Sequence, residues 1–159
     1  MDLFDLAIKL EQDGAAFYLN LVEKAPNEGI ANIFKTLAED EKKHEAYFTA
    51  LKDHSPVVAV DSTIIELAKG VFKEVDVEHL NPADDQIPLY QEALAAEQRS
   101  IDLYEKIIAD LKSEEEKDAV KKVIDEERRH YRVIEEIIRL VSRPHRWVED
   151  AEFGIRDEY

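Results

Sequence analysis

Two short motifs in the sequence pair a glutamate with a histidine three residues later. Glu41 precedes His44 in the string EKKH, and Glu127 precedes His130 in ERRH. A three-residue step places both side chains on one face of a helix, one turn apart. Carboxylate and imidazole ligands together suit iron, manganese or zinc. One such motif is weak evidence for a metal, because Glu and His are common on helix surfaces, so the surrounding pattern decides.

The two motifs belong to an internal repeat that covers both halves of the chain. The strings FKTLAEDEKKH and VKKVIDEERRH align with acid, base and histidine in step. Duplication of a helical hairpin explains this agreement better than chance does. A shift of 86 residues equates Glu11 with Glu97, Tyr18 with Tyr104, Glu41 with Glu127, and His44 with His130.

The apolar residues recur at helical spacing and predict four long helices. Short connections after the first and third helices favour two antiparallel hairpins, and Ser113 with Glu116 predicts a capping box for the fourth. Between the hairpins, DSTIIELAKGVFKEV predicts a shorter helix within a long crossover. The sequence thus predicts an all-α four-helix bundle over residues 1–142 and a C-terminal tail over 143–159. The long helices run roughly from Leu3 to Lys24, Gly29 to His54, Pro88 to Leu111, and Glu114 to Ser142, before Pro144.

The repeated polar residues fall on the inner, apolar stripe of these helices. Four carboxylates and two imidazoles are expensive to bury unpaired, and neighbouring carboxylates raise one another's pKa. Bound cations would remove both costs. The alternative to a metal site is a buried network of these polar side chains with water. One Glu from each of two helices with Glu-x-x-His from the other two is the ligand set of ferritin-like dimetal carboxylate proteins. The predicted ligands are Glu11, Glu41, His44, Glu97, Glu127 and His130.

Other residues near these positions receive weaker predictions. Asp40, Glu45 and Glu126 adjoin the motifs and are expected on flanking helix faces. Glu126 competes with Glu127 as a ligand, but it lacks the three-residue spacing to His130. Tyr18 and Tyr104 each follow a stripe glutamate by seven residues, so their phenols could donate a hydrogen bond to a ligand carboxylate or supply an electron or proton. The other reading is an ordinary core tyrosine. One turn beyond the stripe glutamates, small residues could open the site to oxidant or reflect close helix packing; they are Gly14 and Ser100.

Composition excludes several other classes of protein. The formal net charge of -16 disfavours nucleic acid and anionic membranes as partners. The chain has no cysteine, which excludes disulfides, Cys-ligated zinc and iron–sulfur clusters. The N-terminal segment lacks a basic stretch followed by an apolar one, and no apolar run reaches the length of a membrane span, so a cytoplasmic protein is expected.

On these residues, the chain resembles the rubrerythrin-like branch of the ferritin-like superfamily. The resemblance rests on Glu11, Glu97, the EKKH and ERRH motifs and the crossover, and the tail RPHRWVEDAEFG is similar too. It implies two iron ions, bridged by Glu41 and Glu127. It also implies terminal ligation by Glu11 and Glu97 and one histidine for each iron.

Two departures from that family shape the expected function. Full-length rubrerythrins carry a four-cysteine rubredoxin domain that feeds electrons to the site, so turnover here needs a separate donor such as a rubredoxin-like protein. They also carry an extra glutamate where this chain has Ser100. We expect reduction of hydrogen peroxide or dioxygen. The alternatives are ferroxidase or iron storage, and a non-catalytic metal-stabilised bundle. A homodimer fits the aromatic tail residues Trp147, Phe153 and Tyr159.

Overall fold

The computed structural model describes residues 2–56, 61–74 and 86–153, with side chains up to Ser142. The described chain forms five helices, and the predicted all-α bundle of two hairpins with a crossover helix is confirmed. For the first four helices, the predicted and observed ends agree to within three residues. The helices are α1 (Leu3–Glu23), α2 (Glu28–Lys52), α3 (Ile64–Glu74), α4 (Ile87–Asp110) and α5 (Glu114–Phe153).

The helices begin where side chains can satisfy free backbone amides. The Asp2 carboxylate accepts a hydrogen bond of 2.8 Å from the Asp5 amide at the start of α1. The Asn27 side chain does the same for Ile30 in α2, also at 2.8 Å. Ser113 accepts a bond of 3.3 Å from the Glu116 amide, which is the serine half of the predicted capping box. A side chain that caps an N-terminus in this way stabilises a helix by about 1 kcal/mol.

The two hairpins are the main units of packing. The α1 helix packs along α2, and α4 packs along α5. Between the hairpins, α1 lies against α4 and α2 lies against α5. The crossover helix α3 packs on both α2 and α5, where Ile64 and Ala68 are buried. This arrangement turns one face of each long helix towards the centre of the bundle.

Two apolar clusters fill the bundle, and the polar stripe residues lie in neither. One cluster includes Leu21, Phe34 and Ile137, together with the buried face of α3. The other includes Phe48 and Val123 at the opposite end of the helices. Burial of such side chains stabilises the fold by about 1.5–3 kcal/mol each. The apolar clusters therefore hold the four helices in register on either side of a polar middle.

The last helix differs from the prediction. Helix α5 continues to Phe153, whereas the sequence predicted an end before Pro144. Proline removes one backbone hydrogen bond and disfavours a helix interior, but a helix can continue past it with a kink. The side chains after Ser142 lie outside the described residues, so the separate tail and the dimer contacts of its aromatic residues stay predictions. No described helix combines the length and apolar character that crossing a bilayer requires.

Candidate metal centre

The six predicted ligands meet in the interior, between the two apolar clusters. In each of two overlapping groups, one potential ligand atom per residue lies within 4.8 Å of the others. All six side chains are buried, with at most 3% of any residue exposed. Two glutamates, Glu41 and Glu127, belong to both groups. The first group is Glu11, Glu41, His44 and Glu127; the second is Glu41, Glu97, Glu127 and His130.

The glutamate oxygens are the clearest sign that this centre is built for cations. Neither carboxylate oxygen of Glu127 has a hydrogen-bond partner, and one oxygen each of Glu11 and Glu97 also lacks one. His44 Nδ1 lies 3.1 Å from Glu127 Oε1 but in a geometry that makes no hydrogen bond. Ionised carboxylate oxygens accept but cannot donate, and burying them unpaired costs several kcal/mol. Two divalent cations would fit this donor set, because they would bind these oxygens and neutralise the charge.

Without metal, the glutamates compete for protons. Burial, followed by the charges of neighbouring glutamates, raises the pKa of Glu41 and Glu127 well above the usual range. Burial and Glu127 also raise the pKa of Glu11. Burial alone would raise the pKa of Glu97 too, but the charge of His130 and hydrogen bonds lower it. The metal-free site therefore keeps protons that a cation would displace.

Each histidine places its two ring nitrogens in different surroundings. His130 Nδ1 lies 3.1 Å from both Glu41 Oε1 and Glu97 Oε2, inside the glutamate cluster. His130 Nε2 lies 3.0 Å from Asp40 Oδ2, on the outer side. In the same way, His44 Nδ1 faces the cluster, and its Nε2 lies 2.7 Å from Glu126 Oε1. A proton on Nε2 satisfies the outer acid and leaves Nδ1 free to bind a metal.

Asp40 and Glu126 are therefore the site residues that the sequence prediction placed wrongly. Both are buried, with 1% and 3% of the residue exposed, and neither lies on a flanking surface. The reason is that α2 and α5 face each other, so each acid reaches the histidine of the opposite helix. The repeat could have indicated their role, because Asp40 and Glu126 are equivalent acids that directly precede the two motif glutamates. Glu45 does lie to one side, where it accepts a bond from Gln12.

A chain of hydrogen bonds runs from His130 through Asp40 to Ser62, in the crossover segment before α3. The hydroxyl of Ser62 donates to Asp40 Oδ2, the oxygen that also faces His130. The Ser62 hydroxyl in turn accepts a bond of 3.1 Å from the backbone amide of Ile64. Burial alone would raise the pKa of Asp40, but His130 and Ser62 together lower it, so this acid is ionised. The start of α3 thus helps to fix the orientation of one histidine.

The two predicted tyrosines cross between the hairpins. The Tyr18 hydroxyl on α1 donates to Glu97 on α4, and the Tyr104 hydroxyl on α4 donates to Glu11 on α1. Burial, and then the charge of the partner glutamate, raises the pKa of both phenols well above the usual value. Both tyrosines therefore keep their protons, and each holds one oxygen of a glutamate whose other oxygen has no hydrogen-bond partner.

A cavity of about 160 Å³ opens beside the centre, in the seam between α1 and α4. Gly14 and Ser100, the paired small residues of the repeat, line it, and Glu41, Glu97 and Tyr18 form its buried inner end. A Cβ atom on Gly14 would lie 3.4 Å from the carboxyl carbon of Glu41, which is ordinary van der Waals contact. Glycine therefore widens this end of the cavity without being forced by close packing.

Comparison with known families agrees with this geometry. A family model described as Rubrerythrin matches residues 2–138, which span all four long helices as far as Ile138. No match was found among curated proteins or among solved structures.

Proposed function

This chain belongs to the rubrerythrin family, and from that premise we propose that it is a non-haem di-iron oxidoreductase that reduces hydrogen peroxide or dioxygen to water. One observation supports the proposal above others. Two ligand groups share Glu41 and Glu127, while both oxygens of Glu127 are buried without a partner. A cavity reaches this pair of groups from the surface, so a small oxidant has a path to them.

The residues divide into shared and separate ligands under this proposal. Glu41 and Glu127 would bridge the two ions, because they belong to both groups. Glu11 and His44 would complete one site, and the other would use Glu97 with His130. When bound, two ferrous ions would polarise the oxidant and supply one electron each. Manganese or zinc would fit the same donors, and iron is favoured by the family.

The surrounding residues would keep this donor set in place. Asp40 and Glu126 hold the outer nitrogen of each histidine, which fixes the Nδ1 atom towards the glutamates. Tyr18 and Tyr104 hold one oxygen of Glu97 and Glu11. The apolar clusters at both ends exclude water along the bundle axis. Reduction of one hydrogen peroxide to water takes two electrons, one from each ion. Dioxygen needs two more, and repeated turnover needs the ions to be reduced again, so we propose a separate electron donor such as a rubredoxin-like protein.

Stopped-flow mixing of the ferrous protein with hydrogen peroxide tests this function. We expect oxidation much faster than that of free ferrous ion, and loss of this advantage in Glu127→Ala, which removes a shared ligand. Glu45→Ala is the matched control, because Glu45 lies beside the site and bonds Gln12. Oxidation of the wild-type protein no faster than free ferrous ion would refute the proposal.

Iron handling is the second candidate, favoured by Ser100 in place of the extra rubrerythrin glutamate. The remaining six-ligand set resembles that of ferritins equally well. Storage needs a shell, so size in solution separates the two functions. We propose a homodimer, and light scattering should give twice the chain mass of 18.4 kDa. A large spherical oligomer that retains iron would favour storage instead. A cytoplasmic location also stays a prediction.

A further inference from the structure

The cavity between α1 and α4 is larger than hydrogen peroxide requires. Its volume is about 160 Å³. An apolar protein cavity of about 150 Å³ is large enough to bind benzene, a molecule of six carbon atoms. Hydrogen peroxide has only two non-hydrogen atoms and would leave most of this space to water. The size therefore suits an oxidant that carries a short carbon chain or a branched alkyl group.

The cavity has a polar inner end and mainly apolar walls, which suits a molecule with one polar group and one alkyl group. The buried inner end presents Glu41 and Glu97 of the proposed metal centre, with the hydroxyl-bearing side chains of Tyr18 and Ser100 beside them. The walls between this end and the solvent are mainly apolar and consist of Leu10, Phe17, Ala93 and Ala96. A peroxide group would lie at the carboxylates, and an alkyl group would contact the walls.

The charge at the opening limits which molecules can enter. Asp13 and Glu92 line the exposed end with one cation, Arg99, whose guanidinium lies 3.1 Å from Glu92. The protein as a whole carries a net charge of -16. A carboxylate on the substrate would be repelled by this surface, and by the glutamates at the inner end. A neutral hydroperoxide meets no such barrier.

We propose that the cavity binds the alkyl group of small neutral organic hydroperoxides, which the centre reduces to the alcohol. This inference rests on the proposed peroxide reductase function and names a further substrate class for the same site. The O–O bond breaks, and the hydroperoxide takes up two electrons and two protons to give one alcohol and one water. The reduced di-metal centre supplies the electrons, and solvent supplies the protons.

Ala96→Leu tests the proposal, with Ala95→Leu as its matched control. Ala96 lines the cavity, whereas Ala95 is its exposed neighbour on the same helix, and leucine is a good helix former at both positions. We expect Ala96→Leu to slow oxidation of the ferrous protein by tert-butyl hydroperoxide at least about tenfold more than oxidation by hydrogen peroxide, because the added side chain takes the space that the alkyl group needs, while the smaller oxidant needs less of the cavity. Ala95→Leu should leave both rates unchanged.

Binding of tert-butanol to the zinc-loaded protein gives a readout that needs no turnover. Saturable NMR shifts are expected at the amides of Ala93, Ala96 and Ser100 in the wild type and in Ala95→Leu, but not in Ala96→Leu. Absence of saturable shifts in the wild type would overturn the proposal. Equal slowing of both oxidants in Ala96→Leu would also overturn it. If the wild type were oxidised quickly by hydrogen peroxide but not by tert-butyl hydroperoxide, this proposal would fail and the peroxide reductase function would stand. Failure of both oxidants would instead refute that function.

Discussion

The two histidines of the centre show how residues outside a ligand set can decide its geometry. Each Nε2 contacts an acid on the opposite helix, Asp40 for His130 and Glu126 for His44. Such partners fix the tautomer and the ring orientation of a metal-binding histidine. The bare Glu-x-x-His spacing determines only that two side chains share a face. The cross-helix acids determine which ring nitrogen faces the glutamates.

Asp40→Asn should weaken metal binding about 10- to 100-fold, because a neutral amide oxygen accepts a weaker hydrogen bond from His130 Nε2 than the ionised carboxylate does. Competition with a chelator of known zinc affinity measures the change. Glu39→Gln is the control, since Glu39 is the exposed neighbour of Asp40. Equal affinities for Asp40→Asn and wild type would show that the acid does not support the ligand.

Tyr18→Phe should lower the free energy of unfolding of the metal-free protein by about 1–3 kcal/mol. The phenol donates to the buried Glu97 carboxylate, and phenylalanine leaves that acceptor with one bond fewer. Urea unfolding followed by circular dichroism measures the loss. Tyr131→Phe, on the half-buried side of α5, is the control and should change stability by much less. Equal small effects would remove the proposed role of Tyr18.

At the scale of elements, the helices were predictable because their signals are local. Apolar spacing defined α1, α2 and α4, and Ser113 with Glu116 marked the start of α5 by capping chemistry. The contacts between helices were less predictable. The roles of Asp40 and Glu126 depend on how α2 and α5 face each other. The spacing of residues within one helix predicts which face a side chain lies on, but not which residue of another helix it contacts. The continuation of α5 past Pro144 also overrides a local signal.

The crossover helix stabilises one end of the bundle through a few buried side chains. Ile64 is fully buried in the apolar cluster of that end, while its neighbour Ile65 is only partly buried. Ile64→Ala should therefore lower the free energy of unfolding by about 2–5 kcal/mol. Ile65→Ala should cost clearly less, as chemical denaturation of both variants would show. Equal losses would mean that α3 does not pack as described.

At the scale of the whole molecule, metal ions and protons compete for the same buried glutamates and histidines. The raised pKa values of Glu41 and Glu127 mean that the folded metal-free protein binds more protons than the unfolded chain above the usual glutamate value of 4.5. Its stability should therefore fall as pH rises from that value. For His44 and His130, burial alone would lower the pKa, but the surrounding carboxylates raise it above 6.5, so the loss extends through the neutral range. Metal binding displaces these protons and removes the loss.

The gain in Tm on adding zinc should therefore increase by several degrees between about pH 5.5 and about pH 8. Differential scanning calorimetry with and without the metal measures it. Taking the difference at each pH cancels the contribution of the acidic surface, which is common to both forms. A gain that stays constant or shrinks with rising pH would contradict the proton competition at the centre.

Two cations held by side chains from four helices are the central claim, and anomalous diffraction tests it most directly. Crystals of the iron-loaded protein, measured at the iron absorption edge, should show two peaks inside each chain. One should lie beside Nδ1 of His44 and the other beside Nδ1 of His130, with Glu41 and Glu127 contacting both. A single peak, peaks only at the acidic surface, or none would contradict the account.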